Sequence, residues 1–165
     1  AKTINETDIM NHIIKALSKK IFLLAGMILL CDVCKVSAGA LNRFVKNGDH
    51  TNSDSKTGLM WAAKDNGSPI NWHNALSYCR DFKGGGYTDW RMPTLDELSS
   101  IYDSGEKNKN GYHINKLIET TASTCWAAET RDNLAGRYNF KYGEEYWLRK
   151  SYSGPTRVLP VRTVK

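Results

Sequence analysis

The sequence predicts an α+β fold. Beyond residue 40, short strand-like runs crowd the two ends of the chain, and two amphipathic helical patterns lie together between them. The two kinds of segment do not alternate, as a doubly wound parallel sheet would require.

The chain has 165 residues, 41% apolar and 24% charged, with 13 Gly and 4 Pro. That composition excludes disordered, collagen-like and low-complexity classes and fits one domain plus a processed leader. Residues 1–9 read as an upstream extension before a start at Met10. Residues 10–40 read as a signal peptide. Lys15, Lys19 and Lys20 precede the apolar run Ile21–Cys31, and Val36-Ser37-Ala38-Gly39-Ala40 supplies small residues for cleavage after Ala38 or Ala40. The run falls short of the roughly 20 residues that span a bilayer, so any membrane contact would come through an uncleaved leader. Cys31 and Cys34 leave with it. The remaining 41–165 form the domain and are expected to be secreted, periplasmic or at the cell surface. An oxidising compartment allows a disulfide between its two cysteines, Cys79 and Cys125.

The elements follow in order. Phe44-Val45 enters a tight Asn47-Gly48 hairpin turn, with Thr51 to Asp54 as the return strand. Leu59 to Ala62 is a short apolar strand buried on both faces. Asn71 caps a helix running to about Phe82, with Trp72, Ala75, Leu76, Cys79 and Phe82 on its apolar face and Ile70 as a staple. Gly84-Gly85-Gly86 stops it. Tyr87 to Pro93 is extended. Thr94-Leu95-Asp96-Glu97 is a capping box for a second helix with Leu95, Leu98, Ile101 and Tyr102 inward. Glu106 to His113 is Asn-, Lys- and Gly-rich and reads as a mobile loop. Four strands close the chain: Thr124 to Ala128, Arg137 to Lys141, Glu145 to Arg149, and Arg157 to Val164.

These residues bring a family into view. Leu59-Met60-Trp61, Trp72-x-x-Ala75-x-x-Tyr78-Cys79 and Gly85-Gly86-Tyr87-x-Asp89-Trp90-Arg91-x-Pro93-Thr94-x-x-Glu97-Leu98 resemble the Lcl C-terminal domain family, the terminal module of bacterial collagen-like adhesins. Arg43 to Asp49, Cys125 to Glu129 and Pro160 to Lys165 extend the resemblance over nearly all of 42–165. It implies a C-type-lectin-like fold: two helices packed on a small twisted antiparallel sheet with long loops, the chain ends close together. Family members often close on Val-Arg-Cys-Val-Arg, whose cysteine suits pairing with the helix cysteine, but here Thr163 holds that place. Cys125 is then the partner left for Cys79. A bridge and two buried thiols both stay open, since a bridge needs Cα atoms within roughly 7 Å.

The chemistry of turnover is not visible. Asp96 and Glu97 are explained by capping, and Arg91 by bonds to backbone. The histidines share no zinc spacing, Asp49 and Asp54 no calcium-loop spacing, and the lectin calcium signatures are absent. No cofactor or metal is expected. The formylglycine-generating enzymes have a similar Tyr-Cys helix and Arg-x-Pro-Thr turn, but their paired reactive cysteines have no counterpart, so that likeness is one of fold with catalysis lost.

What remains is surface. Beyond residue 40 stand eighteen basic and fourteen acidic residues, a net of +4, and nucleic acid is not implied. Arg137, Lys141, Arg149, Lys150 and Arg157 are interleaved with Tyr146 and Tyr152 late in the chain. Guanidinium groups take sulfate or carboxylate bidentately and aromatic faces stack on sugar rings, so these seven are the candidate ligand residues. The expected role is a non-enzymatic binding module for an anionic polysaccharide or a cell-surface protein. The alternative is a structural subunit of an envelope or fimbrial assembly, with its oligomeric state unspecified.

Overall fold

The computed structural model describes residues 42–164; the extension 1–9, the leader 10–40 and its cleavage points lie outside them. The order of elements is β1 (Phe44–Lys46), β2 (Thr51–Asp54), β3 (Leu59–Ala62), α1 (Trp72–Asp81), α2 (Leu95–Ser100), β4 (Thr124–Arg131), β5 (Leu134–Asn139), β6 (Glu144–Arg149), β7 (Thr156–Arg157) and β8 (Val161–Thr163). A 3₁₀ turn at Gly84–Gly86 follows α1. The α+β expectation holds: among the described residues strands predominate, with two α-helices set between two groups of them.

Instead of one small sheet the described residues form two, each of four strands, in the orders β1-β2-β3-β8 and β6-β5-β4-β7. All pairs are antiparallel except β4 with β7. The predicted last strand explains the division. Arg157 to Val164 is not one strand but two, β7 in the second sheet and β8 in the first. Val158 to Pro160 carry the chain between them, and Pro160 has no amide hydrogen to continue a ladder.

The helix starts form as their caps dictate. The Asn71 side chain accepts from Asn74 N–H at 2.9 Å. At α2 the capping box is complete: Glu97 N–H donates to Thr94 Oγ1 at 3.1 Å and Thr94 N–H to Glu97 Oε2 at 2.9 Å. A tertiary cap adds to it, since Leu95 N–H donates to both Glu129 carboxylate oxygens at 3.0 Å. A remote acid thus satisfies an amide that the helix itself leaves orphaned. Arg91 meets the Glu97 carboxylate through two bonds of 2.7 and 2.6 Å, besides a 3.4 Å bond to the Met92 carbonyl.

Each helix covers a different face of the second sheet. Strand alternation puts Ala135 and Arg137 on one face of β5 and Gly136 and Tyr138 on the other. The first face joins α1: Ala75, Cys79, Met92, Trp126, Ala135 and Val158 form one cluster. On the second, the hydrogen of Gly136 faces Leu95 of α2 so closely that a Cβ would lie 3.0 Å from Leu95 Cδ1. The larger cluster, with Trp61, Leu98, Ile101, Phe140 and Val161, joins α2 to both sheets.

Three local expectations need correction. Leu76 is 38% exposed, because the burial stripe of α1 runs through Ala75 and Cys79 instead. The first hairpin is wider than a two-residue turn, since Lys46 pairs with Asn52 and His50 takes a left-handed φ of 66°. The Glu106–His113 loop is bonded down. Asn108 is buried, and its amide donates to the Ile118 carbonyl and Thr120 Oγ1, both at 3.1 Å.

Candidate functional site

Three of the seven candidate residues converge. Arg137 lies on β5 opposite Tyr146 of β6. Its guanidinium carbon is 5.7 Å from the Tyr146 ring centre and 5.7 Å from that of Tyr152. Nη1 donates to Thr156 Oγ1 at 3.2 Å, and Nε is buried with no partner. No carboxylate pairs with Arg137 among the described residues. Two tyrosine faces supply the attraction instead. The Tyr146 hydroxyl bonds Glu144, which raises the phenol's pKa.

The other four are placed apart. Arg157 pairs in register with Cys125, whereas Thr156 pairs with Thr124, so Arg157 projects to the opposite face from Arg137. It is buried there, its Nε donating to Thr121 Oγ1 at 2.7 Å, and it does not belong to an exposed ligand surface. Lys150 is a structural tie: Nζ donates to the Asp132 carbonyl at 2.8 Å and its own carbonyl accepts from Trp72 N–H at 3.1 Å. Lys141 is exposed beside Tyr142 at the β5–β6 turn. Arg149, also exposed, lies across from Leu134, two residues along β6 from Trp147 and on the face away from Arg137. Thr156 is the member that sequence reading missed; only the parallel β4–β7 pairing brings it under Arg137.

Of the two cysteine states left open by the sequence, the structure has the free thiols, both wholly buried. Burial pushes the Cys79 thiol up to about 12. Burial, reinforced by the negative charge of Asp65 and opposed by Arg157, holds Cys125 well above its ordinary value. Thiols of this kind are inert because the thiolate is the nucleophile. Iodoacetamide treatment at pH 8 followed by peptide mass mapping should therefore leave Cys79 and Cys125 unmodified in native protein and modified in denaturant. Labelling of either in the native state would contradict the packing described.

A second concavity lies on the first sheet, between the β1–β2 hairpin and segment 115–119. It is lined by Lys46, His50, Asn52, Lys64, Lys116 and Glu119, among others. Glu119 bridges Lys64 at 3.2 Å and Lys109 at 2.7 Å. The Lys109 bond chiefly lowers its carboxyl pKa. These residues come from four separate segments and share no spacing a sequence pattern would reveal. Among the described residues no group of three or more His, Cys, Asp or Glu side chains is arranged to hold a metal, and no helix is long and apolar enough to cross a membrane.

No curated protein matches the chain. The arrangement of Trp72, Arg91, Thr94 and Glu97 around the two helix starts, and of Cys79 in the last turn of α1, is carried by the segments that resembled a known family, and the comparison with family models agrees. The Lcl C-terminal domain model matches residues 50–162, and the chain belongs to that family.

Proposed function

We propose that this is a non-enzymatic binding module of adhesin type, C-type-lectin-like in fold, that takes a polyanionic glycan or an acidic protein surface at the Arg137 notch. Family membership supports a surface-associated domain. The module would act after loss of the leader, in a secreted, periplasmic or cell-surface setting. The observation that carries the reading is Arg137 itself. A half-buried guanidinium without a carboxylate is costly unless something answers its charge, and here two tyrosine rings and one hydroxyl hold it in place. A sulfate or carboxylate would find a preset cation, with aromatic faces beside it for a sugar ring.

The test is binding of the full chain to dextran sulfate across a salt series. Affinity is expected to fall steeply with salt. Arg137→Gln should weaken it about ten-fold at low salt, the scale of one charge-assisted bond. Absence of binding at low salt, or binding indifferent to salt, removes the electrostatic reading. A defined oligomer in light scattering, without polyanion binding, would then move the assignment to the assembly role.

A further inference from the structure

The cleft on the first sheet is a site in its own right and does not depend on the Arg137 notch. Its volume is about 410 Å³, within the range of small-molecule sites. Lys46 and Lys116 line it with no carboxylate partner among the described residues. Among the described residues the one carboxylate in its lining, Glu119, is already shared by Lys64 and Lys109. Positive charge in the cleft is therefore in excess.

Asn52 makes the second demand. It is 1% exposed, and its Nδ2 donates to the Leu117 carbonyl at 2.8 Å. That bond fixes the amide and leaves Oδ1 buried with no donor. A buried acceptor left unpaired is costly, and the natural remedy is a hydroxyl from outside the chain. His50 adds a third sign. It holds a left-handed φ of 66°, rare for a residue with a side chain, while its carbonyl accepts from Ala63 N–H at 2.8 Å. Strain of this sort collects where a side chain must be aimed, and His50 lines the same cleft.

A simple anion would answer the lysines and leave Asn52 Oδ1 unpaired. A neutral sugar would answer Asn52 and leave two ammonium groups unpaired. We propose that the cleft binds a small polyhydroxylated carboxylate of the hexuronate class. Its carboxylate sits between Lys46 and Lys116, a ring hydroxyl donates to Asn52 Oδ1, and the apolar ring face lies on Leu117.

The probes are D-glucuronate, D-glucose and acetate, titrated calorimetrically into the full chain. Glucuronate is expected to bind, with glucose and acetate each weaker by about ten-fold or more, the scale of losing one charge-assisted bond. Lys46→Gln/Lys116→Gln should weaken glucuronate binding by a similar factor without shifting thermal unfolding, because both side chains are exposed. Arg137→Gln should leave it unchanged, which separates this site from the notch. The proposal is overturned if glucuronate does not bind, if acetate or glucose binds equally well, or if the lysine pair can be replaced without effect.

Discussion

Trp126→Ala is expected to destabilise the domain by about 3–5 kcal/mol, a large share of the roughly 5–15 kcal/mol available to a domain. Trp126 is wholly buried on β4 and faces α1, where it packs in the cluster of Ala75, Cys79, Met92, Ala135 and Val158. Its removal opens a void at the centre of that cluster, and a void of indole size is closed only in part by relaxation of its neighbours. It is also a strap. Its Nε1–H donates to the Ile70 carbonyl at 2.8 Å, just ahead of the α1 cap. A reciprocal strap runs back, as Trp72 Nε1–H donates to the Ala127 carbonyl at 2.8 Å. Losing Trp126 removes one strap and the packing that aligns the other. Trp126→Phe keeps much of the volume and should cost only about 1–3 kcal/mol, mainly the lost hydrogen bond and the unpaired carbonyl. Urea unfolding of the three proteins measures both values. A Trp126→Ala midpoint close to that of the parent would mean that α1 is not anchored through β4.

The straps show what a sequence does and does not disclose. The two helix starts were legible because a cap is a local device: Asn71 reaches Asn74, and Thr94 reaches Glu97, within three residues. The β3 run was legible because four consecutive apolar residues have few other places to go, and all four are buried. The Arg91–Glu97 pair was half legible. Glu97 was assigned to its cap, but the bidentate bond to Arg91 depends on how the extended 87–93 segment folds back on α2. The division of the C-terminal segment into β7 and β8 was hidden, because strand propensity says nothing about which sheet receives a strand. The grouping of the candidate ligand residues was hidden in the same way: Arg137, Tyr146 and Tyr152 meet, while the other four lie apart. Alternation along one strand is readable, but whether Arg157 shares a face with Arg137 depends on a register between β7 and β4 that no local pattern encodes. The lysine cleft is the extreme case, since Lys46, Lys64 and Lys116 meet only through tertiary placement.

Arg43→Met is expected to cost about 3 kcal/mol at pH 7, because it strands a buried carboxylate. Asp54 is 1% exposed on β2. It accepts from Arg43 Nε at 2.8 Å and Nη2 at 2.7 Å, from Lys56 N–H at 3.0 Å and from Thr57 Oγ1 at 2.7 Å. Burial pushes its pKa up, but the bonds from Arg43, Thr57 and the Lys56 amide together outweigh burial, and the net shift is below the ordinary 3.8. Glu97 follows the same pattern: burial raises it, while Arg91 and the Thr94 amide bring it below 4.5. A depressed carboxyl pKa stabilises the fold fully above the unfolded value, and that contribution is lost as pH falls through the folded value. The parent protein should therefore weaken as pH drops below about 4, through both Asp54 and Glu97. In Arg43→Met the Asp54 share of that loss shrinks, because the lowering guanidinium is gone. The stability gap between parent and variant, taken from urea midpoints, should thus narrow from pH 7 to pH 3. A gap that stays constant would assign the cost of Arg43→Met to lost side-chain packing over Phe44, whose ring centre lies 4.8 Å from the guanidinium carbon, and not to the charge left on Asp54.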